Sequence, residues 1–320
     1  MEAEKLSIKI GSFNLYKFHA YQSDDEIRKD LITLTRIISD EQFDIIAFQE
    51  IFSESALSRI LTGLGRNWDG RWAKPNSHSV QLSEGYAFIW EKNKFKLSES
   101  LTSSGRRTYS PRIYNQYRIN KIAGQQELTR NPFFARFESV NGFFEIRLIN
   151  AHIMFSKSAF MSETDNLPND VVMRKNELDI LIKNIYVKES DQAYGTNRPA
   201  YTVLLGDYNL NLNREWTKSP YLEEVVIIQD GNGIKKIRNI QDQLTTLKNK
   251  SLNNPDEPVR EFANNYDHFT YDENRFSDVG VRTARINSVE KYCQDDFEKH
   301  RKEISDHVPI KLELTINTRR

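Results

Sequence analysis

Short apolar stretches recur along the chain from one end to the other, in the alternating or unbroken patterns of strands. The segments SIKIGSFN (7–14), FDIIAF (43–48), YAFIWE (86–91), 132–138, FFEIRLINA (143–151), YTVLLG (201–206), 223–229, 266–271 and 307–316 are each expected to form a strand. Several are rich in Ile, Val, Phe and Tyr, which pack well on a pleated surface. Between them the period changes to that of a helix. Ser23 and Glu26 have capping-box spacing ahead of Ile27, Leu31, Leu34 and Ile38. Leu57, Ile60, Leu61 and Leu64 predict a helix over 55–64, and Leu178, Leu181, Ile182 and Ile185 predict one from about Asp170 to Val187. Helices and strands alternate at first and strands dominate later, which predicts an α/β protein with a mixed sheet. The polar, turn-rich stretches 100–131, 156–169, 189–199 and 248–265 read as long loops. Loops of that length on a compact scaffold are often functional.

Composition narrows the class more than the activity. The chain has 320 residues, 38% hydrophobic and 28% charged, which suits a globular protein with a sizeable core. One domain over 1–320 is expected, since no repeat or low-complexity linker divides it. Lys+Arg and Asp+Glu are both 45, so bulk charge points to no polyanionic partner. The single cysteine, Cys293, can form no internal disulfide, which fits a reducing compartment. The opening MEAEKLSIKIGSFNLY contains no long apolar run, so neither a signal peptide nor a membrane span is expected. The default location is then the cytoplasm. Nothing in the sequence sets an oligomeric state.

The chemistry lies where the strands end. Asn14 follows SIKIGSF, Glu50 follows FDIIAFQ, His152 follows EIRLINA, and Asp207 and Asn209 follow YTVLLG; Asp267 and His268 follow NNY, and Asp306 and His307 precede VPIKLEL. Each residue alone has an ordinary explanation, because Asp and Asn start turns and a lone histidine is usually just hydrogen-bonded. Six segments doing the same thing are harder to explain that way, since strand ends at one edge of a sheet converge in space. Clustered carboxylates repel unless a cation neutralises them. Oxygen ligands with an amide suit Mg²⁺ or Mn²⁺ before Zn²⁺. A metal with imidazoles beside it is equipment for driving water into a phosphodiester. At strand spacing Asp207 and Asn209 share a face, which would look into that site.

The ordered blocks FN (13–14), QE (49–50), NAH (150–152), GDYN (206–209), YDH (266–268) and SDH (305–307) resemble those of the endonuclease/exonuclease/phosphatase superfamily. They span nearly the whole chain in that family's order. Within the superfamily the chain looks most like deoxyribonuclease I. SEGYAFIWEKN resembles the block that carries that enzyme's glutamate partner, here Glu84, and RNPFFARF its Arg-x-Pro segment, here Arg130. The resemblance implies a four-layer α/β sandwich, two packed mixed β-sheets flanked by helices. It implies Glu50 as the principal Mg²⁺ ligand, with Asp306 and Asn14 beside it. Asp207 and Asn209 would bind or orient water and phosphate, Asp267 would hold His307, Glu84 would hold His152, and Arg130 would contact substrate. A carboxylate on one imidazole nitrogen fixes the tautomer and raises the pKa, so one imidazole can serve the nucleophile and the other the leaving group. Which does which stays open, and Asp207 competes for the base role. The chain also departs from the pattern: the family enzyme has a basic residue two places after the metal-binding glutamate, and here that place is Phe52.

The stretch 104–136 holds seven Lys/Arg and one acid, Glu127, with Tyr109, Tyr114 and Tyr117 interleaved. Such a loop would attract phosphates, and its tyrosines could stack on bases. Arg106, Arg107, Arg112 and Tyr114 are therefore expected to bind substrate with Arg130. The expected activity is a Mg²⁺-dependent phosphodiesterase (Mn²⁺ as the alternative ion) that acts on nucleic acid, as a DNA endonuclease. The alternatives are the same chemistry on a lipid or inositol phosphoester or on special DNA ends, and a non-catalytic binding module. The complete set of polar strand-end residues argues against the last.

Overall fold

The computed structural model describes residues 4–19, 29–74, 84–101, 107–109, 111–114, 128–155, 169–195, 197–212, 220–248 and 261–318. Two mixed sheets pack face to face with helices on both outer sides, a four-layer α/β sandwich. The first sheet runs, edge to edge, Val279–Arg285, Ile310–Thr318, Glu4–Phe18, Ile45–Ile51, Gly85–Glu91 and Trp68–Ala73. The second runs Val225–Asp230, Gly233–Ile240, Asp267–Asp272, Ala200–Asp207, Glu145–His152, Phe133–Ser139 and Phe95–Leu97.

Both faces of the central strands are covered, so Ile45–Ile51, Gly85–Glu91 and Ala200–Asp207 read as continuous apolar runs and not as alternating ones. Between the sheets lie Ile10, Ile45 and Phe88 from the first and Phe137, Leu148, Val203 and Phe269 from the second. Outside the first sheet, helices Leu31–Asp40 and Glu54–Leu64 seat Leu34, Ile37, Leu57 and Ile60 against Phe13, Ile46 and Phe48. Outside the second, Leu178, Ile182 and Ile185 cover Ile149 and Leu204. They come from one helical run, α-helical over Asn169–Ile180, widened to a π-helix over Leu181–Tyr186, and α-helical again to Asp191.

The first helix begins later than its sequence pattern predicts. Its N-cap is Asp30, whose Oδ1 accepts from the Thr33 amide at 3.0 Å. Ser23, Glu26 and Ile27 lie outside the described residues. Strands Trp68–Ala73, Gly233–Ile240 and Val279–Arg285 and helices Ser288–Cys293 and Phe297–Glu303 are additional to the expected elements.

Register brings the polar strand ends together. In the second sheet His152 pairs with Asp207, and Asp207 with Asp267, so three neighbouring strands put these residues in one row. In the first sheet Asn14 pairs with Gln49, and beyond that pair the register of the Glu4–Phe18 strand slips. A second slip lies between Phe48 and Ile51. Such bulges re-aim side chains at the rims of sheets. Here they turn the chain through positive φ at Tyr16 (45°), Lys17 (53°) and Glu50 (58°). Gly206 is required for a different reason: its φ is 138°, and a Cβ there would lie 1.9 Å from the Ala151 carbonyl oxygen. Among the described residues no helix is long and apolar enough to cross a membrane, which says nothing of a β-barrel.

Candidate active site

Both sheets contribute to one polar cluster at the ends of their strands. Asn14 Nδ2 donates to Glu50 Oε1 and to Asp207 Oδ2, each at 3.1 Å, and so ties the two sheets together. The bulged backbone orders the acceptors. The Tyr16 amide donates to Asn14 Oδ1 at 2.9 Å and the Lys17 amide to Glu50 Oε2 at 3.0 Å. The strained φ at Glu50 is thus matched by hydrogen bonds that aim its carboxylate, as expected where strain persists at a functional site.

Two imidazoles face the same carboxylate oxygen. His152 Nε2 and His307 Nε2 each lie 3.6 Å from Asp207 Oδ2. Their other nitrogens meet separate acids, His152 Nδ1 at 3.2 Å from Glu84 Oε2 and His307 Nδ1 at 2.7 Å from Asp267 Oδ2. His152 Nε2 is also 4.0 Å from Glu50 Oε1. The five residues His152, His307, Glu84, Asp207 and Asp267 are all buried. Arg130 Nη2 forms an ion pair with Glu84 Oε1. The Nε and Nη1 groups of Arg130 are buried and have no hydrogen-bond partner among the described residues.

The turn before the last strand is clamped from two sides. Ser305 Oγ donates to the Asn14 carbonyl at 2.6 Å and accepts from the His307 amide at 3.0 Å. On the other side the Leu247 amide donates to the Asp306 carbonyl at 2.8 Å, and Val308 N to Thr245 O at 2.9 Å. Asn209 has φ 51°; its amide donates to Asp207 Oδ1 at 2.9 Å and its Nδ2 to the Ile153 carbonyl at 2.8 Å.

The electrostatics follow from burying so many acids together. Burial pushes Asp207 up to about 6, with Asp267 adding to the rise, against the pull of His307 and His152. For His307, burial disfavours the imidazolium, but the Asp267 and Asp207 carboxylates prevail and hold its pKa well above the ordinary value. Burial likewise works against the Glu84 carboxylate, yet His152 and Arg130 keep its carboxyl below the usual range. Asp306 is raised by burial, and Glu50 beside it adds to the rise.

Glu50, Glu84 and His152 bring ligand atoms within 4.8 Å of one another, a group that could hold a divalent ion. The hydrogen bonding argues for a different centre on the same glutamate. Glu84 is engaged by Arg130 and by His152 Nδ1, whereas Asp306, paired with Arg301 through Oδ2 at 3.3 Å, has a buried Oδ1 with no hydrogen-bond partner among the described residues. That carboxylate oxygen, in the field of Glu50, is a hard donor of the kind Mg²⁺ or Mn²⁺ takes.

Two of the expected substrate contacts are engaged within the fold. Arg112 Nη2 donates to Glu189 Oε1 at 2.8 Å, and its guanidinium stacks 5.1 Å from the Tyr114 ring and 5.3 Å from Phe134. Tyr114 packs edge-on against Phe134, part of the core under the outer helical run. The reason is Glu189, a carboxylate only 1% exposed, which needs a counter-charge. Arg106, Tyr117, Arg118 and Lys121 lie outside the described residues, and Arg107 opens a short strand paired with Glu99–Leu101.

Three residues absent from the sequence reading also shape the site. Lys29, largely buried, donates to the carbonyls of Leu15 (3.1 Å) and Ile304 (2.9 Å). Burial lowers its pKa to about 8, against the pull of Asp306 and Glu50. Glu177 accepts from the Thr129 amide at 2.7 Å and fixes the turn carrying Arg130. Arg174 Nη1 donates to the Asn209 carbonyl at 2.6 Å. No local pattern marks these three, because only the tertiary fold brings them near the site.

No protein-family model matches the chain, and no curated protein sequence does either. Solved structures do. An endonuclease/exonuclease/phosphatase family protein from Bacteroides thetaiotaomicron is 14% identical, with 98% of this chain and 100% of that one covered at a TM-score of 0.51. The chain has the endonuclease/exonuclease/phosphatase fold. TDP2 from D. rerio, complexed with a single-strand DNA product, is 13% identical over 96% of this chain and 98% of its own, with a TM-score of 0.53. ANGEL2, a 2′,3′-cyclic phosphatase in complex with adenosine-2′,3′-vanadate, is 11% identical over 99% of both chains, with a TM-score of 0.55. At such identities the likeness establishes the deoxyribonuclease I-like fold alone.

Proposed function

We propose that the chain is a divalent-metal-dependent phosphodiester hydrolase that acts on nucleic acid, cutting DNA as an endonuclease. The observation that carries this reading is the pair of carboxylate-held imidazoles, both 3.6 Å from the same Asp207 oxygen. In this reading Glu50 and Asp306, with Asn14, hold Mg²⁺ or Mn²⁺, and a bound ion would neutralise the charge that develops on the phosphoryl oxygens.

The chain's own residues supply the rest. Asp207, raised toward 6, is a stronger base than an ordinary carboxylate and takes a proton from the attacking water. Asn209 and the Asn14 amide orient that carboxylate. His307, kept cationic by Asp267, offers its Nε2 proton to the phosphate or the leaving oxygen. His152, oriented by Glu84, faces the same space from the other side. Arg130, ion-paired with Glu84 beside His152, is assigned to the substrate phosphate. Nucleic acid is favoured by the basic residues of 104–136 other than Arg112 and Arg136, which pair with buried Glu189 and Glu145, and fold relatives bind DNA product or a nucleoside vanadate.

Purified protein is expected to nick supercoiled plasmid in Mg²⁺ and to stop in EDTA. Turnover of another phosphoester without plasmid cutting would remove the DNA assignment. A lack of turnover across a phosphoester panel in Mg²⁺ and Mn²⁺ would remove the hydrolase.

A further inference from the structure

Beside the acid cluster stands an aromatic ring that the catalytic set does not use. Phe155 lies three residues beyond His152 and is 44% exposed. A single exposed apolar side chain is ordinary on a protein surface. The bracing of this one is not. The Arg174 guanidinium sits 5.0 Å from the Phe155 ring centroid, and the Tyr266 ring lies 6.4 Å away at a tilt of 38°.

Both supports are fixed to the catalytic residues. Arg174 is 5% exposed; it donates to the Asn209 carbonyl at 2.6 Å and to Asp170 Oδ2 at 2.8 Å. Tyr266 directly precedes Asp267, and its carbonyl accepts from the Tyr208 amide at 2.8 Å. The Ile153 carbonyl, two residues before Phe155, holds the Asn209 side chain. The ring is thus tied to the two segments that carry Asp207, Asn209 and Asp267. Three steps along the chain take it from His152, a backbone reach of about 11 Å at most.

We infer that Phe155, braced by Arg174 and Tyr266, is a stacking subsite for the base of the nucleotide next to the cleaved phosphate. This rests on the hydrolase reading above and goes further by naming what the site reads beside the phosphate. A planar base offers a π face to such a ring whatever its sequence. An inositol or a hexose offers none, and a polyhydroxyl group would instead require hydrogen-bond partners that a phenylalanine lacks. A choline cation, which aromatic rings do attract, would meet a ring that already carries the Arg174 guanidinium. The subsite therefore selects nucleotides from among phosphoesters, with little preference among bases.

The test uses a single-stranded oligothymidylate in which one internal nucleotide is replaced by a tetrahydrofuran abasic residue. Cleavage in Mg²⁺ or Mn²⁺ is mapped position by position. The wild-type protein is expected to cut one of the phosphates flanking the abasic residue about 5- to 150-fold more slowly than the others, the size of one lost base stack. Phe155→Ala should cut all positions at similar rates, and Phe155→Tyr should restore the contrast. A folding defect would slow every position alike, so the contrast within one strand separates recognition from stability. Even cutting across the abasic residue by wild-type protein overturns the subsite, as does an undiminished contrast in Phe155→Ala. Hydrolysis of other phosphoesters with no cutting of the oligonucleotide overturns the subsite and leaves a hydrolase; turnover of nothing removes both.

Discussion

Replacing Asp267 by Asn keeps the shape of the His307 partner and removes its charge. The bond at stake joins two buried groups, with Asp267 Oδ2 2.7 Å from His307 Nδ1, so water does little to screen it. A charge-assisted hydrogen bond contributes roughly 1.5–3 kcal/mol, which at about 1.4 kcal/mol per decade is a factor of about 10 to 150 if fully expressed in the transition state. An Asn amide that donates to Nδ1 also holds the ring neutral with its proton on Nε2, a far weaker acid than the imidazolium, which would extend the loss to about 10⁴. The expected fall in kcat is therefore about 10- to 10⁴-fold. The imidazole pKa of His307 should move down, because the first of the two carboxylates that outweigh its burial is gone. Turnover of a chromogenic diester would be measured with a proton NMR titration of His307 in the metal-free protein. A thermal melt would confirm the fold. Turnover within threefold of wild type, with an unchanged titration, would refute the role given to this pair.

Arg112→Ala should leave turnover within twofold, because Arg112 is engaged by Glu189, and should lower stability by about 1 kcal/mol, half its charge being already in water; a large loss of DNA cutting with unchanged stability would return it to the substrate groove. His300 lies at the other side of the fold's last turn, buried between Ser288 Oγ (2.7 Å) and the Ser305 carbonyl (2.8 Å), and burial lowers its pKa from 6.5 to about 4. Its neutral form belongs to the folded state, so the unfolded chain takes up the extra proton as pH falls below 6.5, and stability drops until the folded pKa is passed near 4. That amounts to roughly 2 kcal/mol between pH 7.5 and 5, readable as the difference in denaturation free energy between wild type and His300→Gln over that range; parallel pH curves would contradict it.

Much of this fold was legible because its central strands are covered on both faces and so spell out long apolar runs. The elements that escaped lack that signature. Trp68–Ala73 and Val279–Arg285 are edge strands, half exposed and interrupted by Gly70 and Gly280. Ser288–Cys293 and Phe297–Glu303 are too short to show a helical period, although Asn287 and Asp296 cap them in the ordinary way. Gly233–Ile240 did carry a signal, the DGNG at 230–233 that turns a hairpin. The helix Leu31–Asp40 is capped by the Asp30 side chain, while Ser23 and Glu26, which fit a capping box, lie outside the described residues. At the site, the residues that end strands were readable, since register alone sets His152, Asp207 and Asp267 side by side. Lys29, Arg174 and Glu177 were not, for their places depend on how helical segments dock against the sheets. The partner of Arg112 was not readable either, because local charge does not reveal a buried acid 77 positions away.

In the proposed mechanism Glu50 and Asp306 gather a hard divalent ion where the two imidazoles meet Asp207. An anomalous scattering map from crystals soaked in millimolar Mn²⁺ would locate that ion. A peak bonded to carboxylate oxygens of both Glu50 and Asp306 is the expected result. A peak on Glu84 and His152 instead, or no peak at this cluster at all, would contradict it.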